Sequence, residues 1–281
     1  MQKSLKKYFP VFMGPTTIAF VIAFLAPFLI GLYLSFTKFT TLSNATFIGA
    51  DNYSVAISEG QGFLKALRFS GLVSLVAIIT VNVGAFALAY MLTRKLRGTN
   101  FFRTIFFLPN LIGGIVLGYT WQVMLNAILA KWEQTIINDW KFGFAGLIML
   151  VMWQQMGYMM IIYIAGLQNV PPELLEAATI DGASKWQTLR KVTIPMIMPS
   201  ITICLFLTLA QSFKMYDQNL ALTNGQPLGD TQMAALNIVN SMYNQPGMQG
   251  VAQAKAVIFF LIVGAIAMIQ LRATRSKEVE N

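Results

Sequence analysis

The chain has 281 residues, 56% of them hydrophobic and only 11% charged, with a mean hydropathy of +0.61. A soluble domain carries about 25% charged residues, so this composition is that of a membrane protein. The net charge of +9 raises the question of nucleic acid, while the absence of His and the single Cys204, set in an apolar run, exclude a disulfide within the chain and a His- or Cys-based zinc site.

Charged residues divide the chain into segments. Between Lys7 and Lys38 lie 30 uncharged residues. That run is too long for a signal-peptide core and no small-residue cleavage site follows, so a retained span is expected at about 14–36, kinked at Pro27. Uncharged runs then predict a second span at 69–92 and a third at about 106–124, where Gly114 and Gly118 form a GxxxG pair suited to close helix packing. A fourth span falls at 144–167, a fifth at 194–213 and a sixth at 254–271, the last extended past Lys255 by letting its stem snorkel. The segment from Lys214 to Lys255 is nearly uncharged but is interrupted by Asn, Gln, Gly and Pro. It reads as a large loop outside the membrane with one short helix near Met233–Met242. The expectation is an all-α membrane protein with six transmembrane helices in a single domain, 1–281.

Lys and Arg give the orientation. With the N-terminus inside, one side collects 13 of the 20 basic residues against five acids: Lys3, Lys6, Lys7, Arg94, Lys95, Arg97, Arg103, Lys185, Arg190, Lys191, Arg272, Arg275 and Lys277. The opposite side keeps seven basic and six acidic residues. The positive charge is therefore a topology signal rather than a nucleic-acid footprint, and both termini are expected in the cytoplasm.

Between the fourth and fifth spans stands a compact helix-turn, Glu176-Ala177-Ala178-Thr179-Ile180-Asp181-Gly182-Ala183. Pro171 and Pro172 suit a helix start, Glu173 complements its dipole, and Gly182 offers a left-handed stop. Ser184 with Gln187 three residues on forms a capping box for a second short helix that carries Trp186 and Leu189 and is bounded by Pro195. A rigid, exposed knob of this kind, over 171–193 and on the cytoplasmic side, has the shape to dock in a groove of another protein.

No charged residue sits centrally in a span, and no inverted repeat or broken helix of the carrier type is visible. No GxxxxGK[ST] phosphate loop is present, so ATP is not hydrolysed here by that route. The remaining polar residues near the spans are Asn82, Gln122, Trp153, Gln154, Gln155, Tyr158, Gln211 and Tyr216. Taken singly, each is explained by interhelical packing. Together, uncharged hydrogen-bonding groups with aromatic faces suit a neutral, hydroxyl-rich solute, with Trp153, Gln154 and Tyr158 spaced for one helix face.

At this point the sequence resembles the permease subunits of bacterial ATP-binding-cassette importers of the carbohydrate type, related to the maltose and glycerol-phosphate permeases. Glu176-Ala177-Ala178, Asp181-Gly182-Ala183 and Pro195 reproduce the family's cytoplasmic signature. The match extends over Ile164–Gln168 and Val170-Pro171, then through Trp186-Gln187, Arg190, Thr193 and Pro199. Phe213, Tyr216-Asp217, Leu222-Thr223 and Gly225–Pro227 resemble the family's segment after the fifth span. Leu189 and Val192 stand where Phe and Ile are usual.

The resemblance implies a type I importer permease fold in the bacterial cytoplasmic membrane, not an enzyme and without a metal. It implies a second homologous permease, two ATPase subunits that bind ATP and Mg, an external solute-binding protein and a sugar as cargo. Coupling to the ATPase would run through Glu176, Ala177, Ala178, Asp181, Gly182 and Ala183. The solute path would include Asn82, Trp153, Gln154, Tyr158, Gln211, Tyr216 and Asp217. Two alternatives stay open: another solute such as a glycerol phosphodiester, which favours Arg or Lys along the path, and a stand-alone facilitator, which leaves the knob unexplained.

Overall fold

The structure, a computed structural model, describes residues 2–94 and 98–276, with side chains from Val11 onward, Leu42 excepted. Of the basic residues that set the orientation, Lys95, Arg97 and Lys277, with the side chains of Lys3, Lys6 and Lys7, lie outside what is described. The chain forms two compact units: residues up to Phe63 with Ile238–Phe260, and Leu64–Asn237 with the residues from Leu261 on.

In the first unit, helices α1 (Gln2–Phe20) and α2 (Ala26–Leu34) are joined by a π-helical turn, Val21–Leu25. Pro27 opens α2. Lacking an N–H, it cannot continue the regular ladder, and the wider turn just before it absorbs the mismatch. Two short strands, β1 (Thr37–Lys38) and β2 (Thr46–Phe47), pair antiparallel, a feature that the apolar pattern does not announce. Helix α3 (Asp51–Ala56) follows, and its buried Asn52 donates to the carbonyls of Ser35 and Thr37 at 2.9 and 2.8 Å.

Lys255 corrects an expectation. It does not snorkel. It is 0% exposed, its Nζ donates to Ser241 Oγ at 2.7 Å and to Gln61 Oε1 at 3.0 Å, and it lies 5.9 Å from the centre of the Phe63 ring. The reason is that the polar stretch before it folds back as helix, so Lys255 meets hydrogen-bond acceptors instead of an open interface.

The second unit is built on helices α4 (Phe63–Leu92), α5 (Thr99–Phe107), α6 (Gly114–Leu129) and α7 (Trp140–Gln168). Next come α8 (Pro172–Ile180), α9 (Lys185–Thr188), α10 (Ile194–Met196) and α11 (Met198–Phe213). Helices α12 (Tyr216–Leu222), α13 (Ala234–Tyr243) and α14 (Gln249–Arg275) complete the chain. Four described helices are long and apolar enough to cross a membrane, and six crossings result if each of two bent helix pairs is one span.

Those two pairs are the places where unbroken helices were expected. The pair Thr99–Leu111 and Gly114–Trp132 is bent by 101°, and Lys185–Met196 with Met198–Phe213 by 71°. In the first, Pro109 ends regular helix in a 3-10 turn, and Ile112 and Gly113 are extended, with ψ of 132° and 143°. In the second, Pro195 and Pro199 flank Ile197, whose φ of −95° and ψ of 10° leave the helical range. Each proline removes a ladder hydrogen bond, so the apolar runs are continuous in composition but broken in geometry.

Apolar packing of this unit centres on two clusters. One joins Val81, Ala85, Met160, Ile164, Ile197 and Cys204 from α4, α7 and the start of the fifth apolar run. The other joins Val73, Leu147, Val151, Met215, Leu222 and Met233. The segment after α11 is therefore not a plain loop with one helix: α12 lies in the core, and its Asn219 is fully buried. Asn219 Nδ2 donates to Thr231 O at 2.8 Å while its Oδ1 accepts from the Met233 backbone N–H at 2.9 Å, pinning the following turn.

Candidate functional site

The knob is assembled by local rules. Pro172 starts α8, and Gly182, with φ of +73°, ends it. The Ala183 N–H donates to Ala178 O at 2.9 Å and the Gly182 N–H to Thr179 O at 3.1 Å. This is the paired Schellman pattern that needs a left-handed residue at the stop. Ser184 and Gln187 then close a reciprocal capping box, the Ser184 N–H donating to Gln187 Oε1 at 2.7 Å and the Gln187 N–H to Ser184 Oγ at 3.3 Å.

The surface that results is mixed in character. Glu176, Ala177, Asp181 and Gly182 are exposed, while Ala178 and Ala183 are half-buried beneath them. Ile180 is 86% and Trp186 65% exposed. Large apolar side chains held out beside two carboxylates on a hydrogen-bonded turn make an adhesive, rigid surface.

A second feature is a polar cavity of about 300 Å³. Gln154 and Gln155 of α7, Gln211 of α11 and Tyr216, Asp217 and Gln218 at the start of α12 line it, together with Asn110 and Lys214. Gln218 Nε2 donates to Gln154 Oε1 at 3.0 Å, and Gln154 Nε2 to Ile112 O at 3.3 Å, so Gln154 is held from both ends. Gln155 is different. It is 3% exposed, and its Oε1 is buried and accepts no hydrogen bond from the described protein atoms. A buried carbonyl oxygen without a donor costs about 1–3 kcal/mol, and Gln155 carries this one in the wall of the cavity.

Of the residues singled out as a solute path, Gln154, Gln211, Tyr216 and Asp217 are thus brought together. The other three stand apart. Asn82 lies between α4, α7 and α11, accepting from Tyr163 Oη at 2.9 Å and donating to Thr208 Oγ1 at 3.2 Å and to Ile78 O at 2.8 Å. Trp153 is half exposed and packs edge-on against Trp121, their ring centres 5.8 Å apart. Tyr158 packs on Phe107, at 6.5 Å.

Asn110, Lys214 and Gln218 were not expected at the cavity, since they sit where a span or a loop was read. A usable signal existed. Gly114 and Gly118 are four apart, as are Asp217 and Ala221, and these two rows face each other. A Cβ on Gly114 would stand 2.8 Å from that of Asp217, so the GxxxG pair serves packing within the chain and brings α12 to the cavity wall.

Residues 97–275 match the family described as binding-protein-dependent transport system inner membrane component. The chain is 41% identical to the probable starch degradation products transport system permease protein of Thermoanaerobacterium thermosulfurigenes, covering 96% of this chain and 94% of that one. It is 30% identical to the multiple sugar-binding transport system permease protein of Streptococcus mutans over 99% of each, and 27% to the sn-glycerol-3-phosphate permease protein of Agrobacterium fabrum over 92% of each. A chain from the crystal structure of a bacterial ABC transporter that imports alginate shares the fold, with a TM-score of 0.80 at 21% identity over 98% of both chains.

Proposed function

The chain belongs to the family of binding-protein-dependent transport system inner membrane components, and on that footing we propose that it is a permease subunit of an ATP-driven importer of a sugar or oligosaccharide. It is a multi-pass inner membrane protein and not an enzyme. The knob of α8 and α9, on the cytoplasmic side, docks in a groove of an ATPase subunit. There Glu176 meets a basic group, and Ile180 and Trp186 bury their apolar surface. Two ATPase subunits, a second homologous permease and an external solute-binding protein complete the machine. The relatives whose names carry starch products and multiple sugars support the choice of cargo.

The observation that carries the solute half of this reading is the carboxamide-lined cavity, with Gln154, Gln155, Gln211 and Gln218 in its wall. Sugar hydroxyls exchange hydrogen bonds with the carboxamides of Gln155, Gln211 and Gln218 that line it. When ATP binding closes the ATPase pair, the knob transmits the movement and the cavity changes the side to which it opens. The bends near Gly113 and Ile197 are where helix direction can alter without breaking packed segments.

Lys214 favours a second reading, since a cation beside the cavity suits a phosphorylated solute such as that named for the Agrobacterium fabrum relative. Reconstitution decides. The chain is co-expressed with a homologous permease, the ATPase subunits and the binding protein in sealed vesicles, and uptake of labelled maltooligosaccharide and glycerol phosphate is followed with and without ATP. Sugar uptake that needs ATP and every partner supports the proposal. Flux through the chain alone without ATP would sink it, and uptake of glycerol phosphate only would shift it to the second reading.

A further inference from the structure

Two adjoining hollows on the second unit have a character unlike that of the solute cavity. One, about 450 Å³, is apolar and runs along α4 to α11, lined by Val83, Phe86, Ala87, Ile194, Ile201 and Leu205. The other, about 680 Å³, lies against the knob, lined by Leu167, Val170, Leu175 and Leu189 together with Thr93, Thr188 and Lys185. Tyr90 lines both, so the two share a wall. The Arg94 guanidinium is stacked over the same Tyr90 ring, 4.9 Å from its centre. No Asp or Glu lines either hollow among the described residues.

From this arrangement we infer that the paired hollows form a binding site for one anionic phospholipid, an acyl chain in the apolar hollow and its phosphate at the Tyr90 end between Arg94 and Lys185. The polarity order fixes the occupant. Val83 and Ala87 are exposed on a helix long and apolar enough to cross a bilayer, and no charged side chain lines the hollow beside them, which suits an acyl chain. From Val83 to Leu92, where α4 ends, the helix climbs about 14 Å at 1.5 Å per residue, long enough for much of an acyl chain below a headgroup. The Thr93 and Thr188 hydroxyls are already committed as donors, Thr93 to Tyr90 O and Thr188 to Ser184 O, at 3.1 and 3.2 Å. The charged donors for a phosphate are then Lys185 on the lining and Arg94 over the Tyr90 ring, with the Tyr90, Ser184 and Thr193 hydroxyls as neutral ones. Two cations without a lining acid select an anionic headgroup over a zwitterionic one, and Arg presents the better fork to phosphate.

This site rests on the reading that the knob faces the cytoplasm, where the inner leaflet supplies anionic lipid. Its consequence is that lipid would sit beneath Leu175 and Lys185 and support the knob from the membrane side. A bilayer poor in anionic lipid would leave the knob less firmly seated.

The test is lipid retention, which does not depend on any ATPase. The full chain is purified from membranes, exchanged into vesicles of phosphatidylcholine with or without phosphatidylglycerol, re-extracted gently and weighed by native mass spectrometry. Wild type is expected to keep one phosphatidylglycerol per copy in preference to phosphatidylcholine. Arg94→Gln should weaken that preference about fivefold, the attraction of one basic group to an anionic lipid, and Arg94→Lys should restore most of it. Ala87→Trp, which fills the apolar hollow from an exposed position, should release the lipid while leaving the melting profile unchanged. Equal retention of both lipids by wild type, or unchanged retention in Arg94→Gln and Ala87→Trp, overturns the inference. If retention behaves as expected while ATP-dependent uptake fails, the lipid site stands and the importer reading falls.

Discussion

With Gly118 facing Ala221, helices α6 and α12 stand at backbone contact: a Cβ on Gly118 would lie 2.5 Å from that of Ala221 and 3.3 Å from Gln218 O. The contact is what carries α12 into the core and sets Asp217 and Gln218 on the cavity. Gln122 Nε2 reinforces it by donating to Leu222 O at 3.0 Å. Gly118→Val is expected to push α12 away, with an overpacking cost of about 1–3 kcal/mol. The melting temperature of the purified chain should fall and solute-stimulated turnover should drop with it. Gly14, with nothing within 4 Å of its Cβ position, is the control, and its Ala variant should melt like wild type.

Gly182 offers a cleaner case, because a Cβ there would meet nothing within 4 Å while φ is +73°. Any effect of substitution is therefore conformational. Gly182→Ala forces a left-handed residue with a penalty of about 1–2 kcal/mol, and Gly182→Asn should be milder because Asn tolerates that region. Membrane insertion should stay normal for both. ATP hydrolysis coupled to transport should fall in the order Gly, Asn, Ala; equal losses for Asn and Ala would remove the backbone explanation.

Gln155 should separate stability from transport. Its Oε1 is buried without a protein donor, so Gln155→Leu relieves a desolvation penalty and is expected to leave the melting temperature equal or higher. Sugar-stimulated turnover should nonetheless fall by tenfold or more if a hydroxyl donates to that oxygen, since about 1.4 kcal/mol is a factor of ten. A variant that melts lower and transports normally would return Gln155 to packing.

Asn82 is predicted to behave in the opposite way. Its amide ties Tyr163 to Thr208 across three helices, and interhelical hydrogen bonds in membranes contribute about 0.6 kcal/mol each, with a maximum near 1.7. Asn82→Leu should lower the melting temperature more than Tyr163→Phe does, because it strands the Tyr163 hydroxyl. If solute affinity changed with stability intact, Asn82 would belong to the path after all.

Much of the knob was legible from residues alone, because helix stops and caps are local: Pro172, Gly182, Ser184 and Gln187 each act within a turn of themselves. The number of apolar runs was legible for the same kind of reason, since a crossing needs a length and a composition. What was hidden depended on contacts distant in sequence. Nothing in the run around Pro109 distinguishes a kinked crossing from a 101° bend until α12 is seen packed against Gly114 and Gly118. Lys255 read as a snorkelling cation because Gln61 and Ser241, its acceptors, are 194 and 14 residues away. The cavity was half read: Gln154, Gln155, Gln211 and Tyr216 came from polarity and Asp217 from the family resemblance, whereas Asn110, Lys214 and Gln218 needed the fold.

The docking of the knob on an ATPase is tested most directly by site-directed cross-linking. Cys204 is fully buried, so a cysteine placed at exposed Ala177 is the accessible thiol for a bifunctional or photoactivated reagent in the gently solubilised assembly. Ala177→Cys is expected to cross-link to a subunit that hydrolyses ATP, and Glu176→Lys in the same chain to abolish both the cross-link and transport-coupled hydrolysis while insertion stays normal. A knob that labels freely with water-soluble maleimide in the active assembly, and cross-links to no such subunit, would contradict it.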